Sequence, residues 1–136
     1  MSKLYLKKTQ LTEMFTHCRE TFPNEACGIL AGKDEQVDKI YPTKNVSPTP
    51  YTRYLIDPQE QFKIFKEIEK ENLEMLAIYH SHTHTHAYPS KTDCELANYP
   101  DVFYLIISLV NPKEPVVKSY SIVDGKIKEE EVEIND

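Results

Sequence analysis

The run Leu76-Ala77-Ile78-Tyr79-His80-Ser81-His82 constrains this chain more than any other stretch. Four apolar or aromatic residues in succession are too few for a helix and suit a buried strand, and the run then turns polar at two histidines one residue apart. On an extended strand those two side chains point to one face with Cα atoms about 7 Å apart, close enough for both imidazoles to reach one metal ion. Downstream, Ala87-Tyr88-Pro89-Ser90-Lys91-Thr92-Asp93 closes on a serine and an aspartate three residues apart. Ser90 is placed to cap a short helix, and on that helix Ser90 and Asp93 share a face one turn apart.

Around this stretch the chain reads as one domain, residues 1–136. Its 136 residues, 40% hydrophobic and 28% charged, are enough for a single core and too few for two. A net charge of -6 without a dense Lys/Arg cluster argues against nucleic acid or an anionic membrane as the main partner. The N-terminal Met1-Ser2-Lys3-Leu4-Tyr5-Leu6-Lys7-Lys8 lacks the apolar segment of a signal peptide, and no apolar run is long enough to cross a bilayer, so a cytoplasmic location is expected. Cys18, Cys27 and Cys94 are odd in number and form no CxxC pair, which speaks against a disulfide framework or an all-cysteine zinc knuckle.

Taken in order, Leu4-Tyr5-Leu6 reads as a short strand. Thr9 then caps a helix whose apolar positions Leu11, Met14, Phe15, Cys18 and Phe22 recur at three- and four-residue steps. Ala26 to Gly32 is a nearly continuous apolar run bracketed by glycines, as a buried strand is, and Glu25 stands alone at its mouth. Glu35 to Pro42 is the next strand of a meander, and Asn45 to Tyr51, with Pro48 and Pro50, reads as a mobile surface loop. Tyr54-Leu55-Ile56 is a short strand, and Asp57-Pro58 starts a helix carrying Phe62, Ile64, Phe65 and Ile68. The short helix after Ser90 runs through Asp93, Cys94, Leu96 and Ala97. Val102 to Val110 is another buried strand, and Val116 to Val123 pairs with Lys126 to Ile134 around Asp124-Gly125. The sum is a mixed α/β domain of the α+β type: a curved, mostly antiparallel sheet flanked by two longer helices and one short one.

A catalytic zinc commonly takes three protein ligands from His, Asp and Glu, leaves one position open, and needs a carboxylate nearby to accept a proton from water. His80, His82 and Asp93 supply the first set, Glu25 is a candidate for the second role, and Ser90 a candidate donor to a developing oxyanion. On spacing alone His82/His84 and His84/His86 repeat the same one-residue gap.

The order Glu, then His-Ser-His, seven residues, Ser, two residues, Asp resembles the JAMM (MPN-plus) zinc metallopeptidases, which remove ubiquitin-like proteins from their conjugates. The resemblance extends to Pro23 to Gly32, to Ser47-Pro48-Thr49, to Tyr54 to Pro58, to Ala87 to Asp93 and to Tyr120 to Gly125, where the chain is similar to the bacterial branch of CysO-cysteine-type peptidases. It implies a single MPN/JAMM-like, cytidine-deaminase-like domain, with His80, His82 and Asp93 as zinc ligands, Glu25 as general base and Ser90 as oxyanion donor. It selects His80 and His82 among the four histidines by their distance to Ser90 and Asp93. The implied partner is a small ubiquitin-like or sulfur-carrier protein joined through its C-terminal Gly-Gly to cysteine, which hydrolysis releases. Asn45 to Arg53 and Tyr88 are the expected contacts for its extended tail, laid beside a strand near the metal. Many members of the wider family carry proline after the second histidine where this chain has Thr83, and His84 and His86 add two further imidazoles. Two other functions remain compatible with the sequence: a non-catalytic MPN-type scaffold, and a zinc peptidase acting on other small peptides.

Overall fold

The structure, a computed structural model, describes residues 3–136; Met1 and Ser2, the first two residues of the stretch read above for a signal peptide, lie outside them. Leu4 and Leu6 bury alternate positions of β1 (Lys3–Lys7), which passes without a linker into α1 (Lys8–Thr21). That direct passage is why Thr9 does not serve as the cap: the helix starts before it, and Gln10 Oε1 accepts the Lys7 N–H at 2.9 Å instead. The Gln10 amide also donates to the Val37 carbonyl at 2.8 Å, tying the helix start to the sheet.

β2 (Cys27–Lys33) and β3 (Gln36–Thr43) form the expected antiparallel hairpin, with a bulge at Gly32, where a Cβ would lie 1.9 Å from the Gln36 carbonyl oxygen. The expected strand at Tyr54 to Ile56 shrinks to a single bridge between Asn45 and Ile56. Asp57 caps α2 (Pro58–Lys70) by accepting the Gln59 N–H, and Ile64 and Ile68, one turn apart, bury its inner face. β4 (Glu74–His82), α3 (Lys91–Glu95), β5 (Phe103–Ser108), β6 (Val116–Val123) and β7 (Lys126–Asn135) follow. α3 stops at Glu95 rather than reaching Ala97, because Pro100 disfavours helix at Tyr99 and the Tyr99 N–H donates to the Tyr104 hydroxyl at 3.0 Å. The β6–β7 turn holds Asp124 and Gly125 at φ 51° and 75°, the left-handed pair that a two-residue hairpin requires.

The curved, mostly antiparallel sheet expected closes into a barrel in the order β1-β3-β2-β4-β5-β6-β7, with four antiparallel and three parallel pairings. β1 pairs in parallel with both β3 and β7, and β4 pairs in parallel with β5. These pairings join segments far apart in sequence and so leave no local signal. The β4/β5 pair has the larger consequence. A parallel pair cannot be joined by a tight turn, so residues 83–102 must cross back over the sheet, and they carry α3 over the end of β4.

Two apolar layers lie on the two faces of the sheet. One gathers Leu4, Leu30, Tyr79, Leu105 and Ile107 under Met14 and Cys18 of α1; the other gathers Ile29, Ile78, Tyr104, Ile106 and Tyr120 with Ile64 and Ile68 of α2. On β5 the residues alternate between layers, so all six are buried. Gly28 sits opposite Tyr79, and its missing side chain leaves room for the tyrosine ring, whose hydroxyl lies 2.7 Å from His17 Nδ1 on α1.

Candidate metal centre

β4 pairs antiparallel with β2 and parallel with β5, and its last residues form the floor of the site. Alternation places His80 and His82 on the same face as Ile78, beneath the crossover, and there both are buried. The crossover then lowers Asp93, from the first turn of α3, onto them. Asp93 Oδ2 lies 3.2 Å from His80 Nε2 and 2.9 Å from His82 Nε2, and the two Nε2 atoms are 3.2 Å apart. Bonds of about 2.0–2.1 Å to a tetrahedral zinc separate neighbouring ligand atoms by about 3.3 Å. The three atoms therefore fit such an ion, and no other group of three potential ligands stands this close among the described residues.

A supporting contact sets which nitrogen of His82 faces inward, whereas His80 Nδ1 is buried without a hydrogen-bond partner. His82 Nδ1 is 2.8 Å from the His86 carbonyl oxygen, which only accepts, so Nδ1 holds a proton and Nε2, which meets Asp93 Oδ2, is the nitrogen that would face a metal. Tyr54 stacks on the His80 ring, with centroids 4.4 Å apart and planes 20° from parallel. The Ser90 N–H donates to Asp93 Oδ2 at 2.9 Å while Ser90 Oγ accepts the Asp93 N–H at 3.0 Å, so a helix cap holds the carboxylate in place. Burial by itself pushes the Asp93 carboxyl upward. The hydrogen bonds from His80, His82 and the Ser90 N–H outweigh it and hold Asp93 well below the usual carboxylate range. His80, wholly enclosed, is shifted down by burial; for His82 the Asp93 carboxylate and the His86 carbonyl overcome burial and shift it up.

Glu25 precedes β2 and is 5% exposed, with Oε1 lacking any hydrogen-bond partner. Burial pushes its carboxyl up to about 8, against a smaller opposing pull from His82. Its backbone is fixed from three sides. The Glu25 N–H donates to the Pro50 carbonyl at 2.8 Å, and the Asn45 amide donates to the Glu25 carbonyl at 2.9 Å. Ser81, between the histidines, points to the opposite face of β4, where its Oγ accepts the Ala26 N–H at 2.8 Å. Glu25 and Ser90 both line a cleft of about 230 Å³ that also touches His82.

All five expected residues thus gather in one place, while His84 and His86 are exposed and stand outside the ligand triad. Cys94 is also outside it, and Cys18 and Cys27 are free, buried thiols. The loop Asn45 to Tyr51, expected to be mobile, is tied by Asn45, whose Nδ2 donates to Glu25 O and Arg53 O and whose Oδ1 accepts the Ser47 and Leu55 N–H groups. Sequence reading missed Asn45, Tyr54 and Ser81 as supports. Only Ser81 had a visible signal, its position on the alternate face between two ligands.

A closed α+β barrel carries at one strand end a buried two-histidine, one-aspartate group that could hold a metal ion, with the buried Glu25 carboxylate beside it. Prokaryotic homologs of the JAB domain match this chain over residues 7–123, and it belongs to that family. The CysO-cysteine peptidase of Mycobacterium tuberculosis (strain ATCC 25618 / H37Rv) is 38% identical over 133 residues, covering 96% of this chain and 90% of that protein. A desampylase of Haloferax volcanii is 35% identical over 113 residues, covering 79% and 81% respectively. The solution structure of a protein from Desulfitobacterium hafniense aligns with a TM-score of 0.88 at 39% identity, over 98% of this chain and 93% of the other. The JAB/MPN fold expected from the resemblance is the fold observed.

Proposed function

We propose that this chain, as a single JAMM domain spanning 1–136, is a zinc-dependent metallopeptidase. It hydrolyses the amide bond after the C-terminal Gly-Gly of a ubiquitin-like or sulfur-carrier protein, in a CysO-cysteine-type conjugate, and releases cysteine. The observation that carries the reading is the triangle of His80, His82 and Asp93 ligand atoms with the buried, partnerless Glu25 beside it. The likeness to a CysO-cysteine peptidase over nearly the full chain supports the substrate class. The three free cysteines support a reducing compartment, hence the cytoplasm.

In this reading His80, His82 and Asp93 hold zinc, which supplies Lewis acidity toward water and the scissile carbonyl. Glu25, which lines the same cleft as His82 and Ser90, takes a proton from the attacking water and returns it to the departing nitrogen as the C–N bond breaks. Ser90 keeps its hydroxyl proton, because its oxygen accepts the Asp93 N–H; that proton is available to the developing oxyanion. The helix cap and the oxyanion role thus use different parts of one hydroxyl. Tyr88, 57% exposed, lies on a second cleft beside Val110, Val116 and Tyr120, and this cleft suits the extended tail of the carrier.

The test is to mix zinc-loaded protein with a carrier-Gly-Gly-cysteine conjugate and follow its mass. Cleavage that Glu25→Gln abolishes is expected. No cleavage, or cleavage undiminished in the variant, overturns the assignment.

A further inference from the structure

We propose that His84 reads the free α-carboxylate of the released amino acid, so that the cleft beside Glu25 is a subsite for one amino acid rather than for a lysine side chain of a second protein. The inference rests on the function proposed above and names what that site selects.

Glu25 returns its proton to the departing nitrogen, so the departing group lies on the Glu25 side of the metal ligands. That side is the cleft lined by Glu25, Tyr51, Thr52, His84, Thr85 and Ser90, about 230 Å³ in volume. When the departing group is an α-linked residue, its carboxylate carbon stands only two bonds from the departing nitrogen and is carried into this same cleft. A lysine linked through its side chain brings methylenes there instead. A donor in the cleft wall therefore separates the two kinds of conjugate.

Among the described residues no Lys or Arg side chain lines the cleft, and His84 is its one nitrogen-donor side chain outside the ligand triad. An imidazole donates at least one N–H in either protonation state, so the contact does not depend on the charge of the ring. The ring is oriented by a T-shaped contact with Phe22, with centroids 6.0 Å apart and planes at 73°. Phe22 is itself fixed at the end of α1, where its N–H donates to the Cys18 carbonyl at 3.1 Å. The backbone beyond His84 is fixed as well, since Thr85 O accepts from Ser108 Oγ at 2.6 Å and His86 O faces His82 Nδ1. His84 thus lines the departing-group cleft on an anchored backbone, in T-shaped contact with Phe22.

The test compares a carrier-Gly-Gly-cysteine conjugate with the same carrier joined to cysteamine, which lacks the carboxylate altogether. Zinc-loaded protein is expected to cleave the cysteine conjugate with a kcat/KM about 10- to 100-fold above the cysteamine conjugate, the range of one hydrogen bond to a charged group. His84→Ala brings the ratio within about 3-fold of unity while activity on the cysteamine conjugate is retained, and His84→Gln, which keeps a donor, recovers part of the ratio. Independently of turnover, N-acetylglycylalanine titrated into the zinc-loaded protein is expected to move the His84 imidazole NMR signals, whereas N-acetylglycine ethylamide, the same molecule without its carboxylate, leaves them in place. Equal shifts from the two, no shift from either, or an unchanged ratio in His84→Ala, overturn the proposal. If the wild-type protein cleaves neither conjugate, the function proposed above fails, and the titration still decides whether His84 binds a carboxylate.

Discussion

The ring of Tyr54 lies on that of His80, and it reaches this position from a loop rather than from the sheet. Tyr54 is 7% exposed, so the stack both fills the core and fixes the imidazole plane. Replacing it with alanine is expected to cost about 3–5 kcal/mol of stability, as other buried aromatics do, and to weaken zinc binding about 10-fold. Tyr54→Phe keeps the stack and is expected to retain both. Urea denaturation and competition with a chelator measure the two effects. An alanine variant that binds zinc as tightly as the wild type removes the stack from the metal site.

Asn45 makes a sharper distinction, because its two ends do different things. Its Nδ2 donates to the carbonyls of Glu25 and Arg53, and its Oδ1 accepts from Ser47 and Leu55. Asn45→Asp keeps the acceptor and sets a carboxylate oxygen against two carbonyls. We expect Asn45→Asp to be less stable than Asn45→Ala, each losing about 1–3 kcal/mol, with kcat falling further than KM rises as Glu25 shifts. Circular dichroism melts with steady-state kinetics on the conjugate decide it; equal stability of the two variants contradicts the donor assignment.

Glu25 gives the metal-free protein a pH dependence of known sign. In the unfolded chain its carboxyl ionises near the model-compound value of 4.5, but in the fold it holds its proton to about 8. Between those values the unfolded state binds fewer protons, so stability falls as pH rises. Glu25→Gln removes the titration. With zinc chelated, we expect the variant and wild type to melt together near pH 4, and the variant to be more stable by about 2–4 kcal/mol above pH 8. Parallel melting curves from pH 4 to pH 9 contradict the buried-carboxylate description.

The glycines of β2 differ in what lies against them. A Cβ on Gly32 meets the Gln36 carbonyl at 1.9 Å, while one on Gly28 meets the Tyr79 ring at 2.3 Å. Backbone in a bulge cannot yield as a side chain can. Gly32→Ala is therefore expected to lose more stability than Gly28→Ala, for which about 1–3 kcal/mol is the overpacking range. Gly28→Ala also pushes on the strand that carries His80, so its zinc affinity falls. Denaturant midpoints of the two variants, compared side by side, give the order.

The geometry of the candidate ligands was partly legible because strand alternation and a helix cap turn fixed spacing into fixed direction: His80 and His82 share a face, and Ser90 holds Asp93 through its own cap, while the choice of His80 and His82 over His84 and His86 came through the family pattern. Glu25 stood out in the sequence only as a lone acid at a strand mouth, and its role came through the family pattern. What brings it to the histidines is the pairing of β2 with β4, a contact between segments distant in sequence. Tyr54 and Asn45 were illegible for a related reason: their partners are set by where a loop lands after the barrel closes. That closure rests on β1, joined to β3 at Tyr5 and Gln36 and to β7 along its length, and neither pairing has a turn or periodicity to announce it.

The three anchors of the segment after His82 are all main-chain carbonyls: Thr85 O to Ser108, His86 O to His82, and Ala87 O to the Tyr120 hydroxyl. Every residue type possesses a carbonyl. Side chains at 84, 85 and 86 can therefore be exchanged over generations without disturbing the proton on His82 or the course of the backbone, provided the segment keeps its length. Recognition becomes adjustable by point substitution next to a metal centre whose geometry is shielded from those same substitutions.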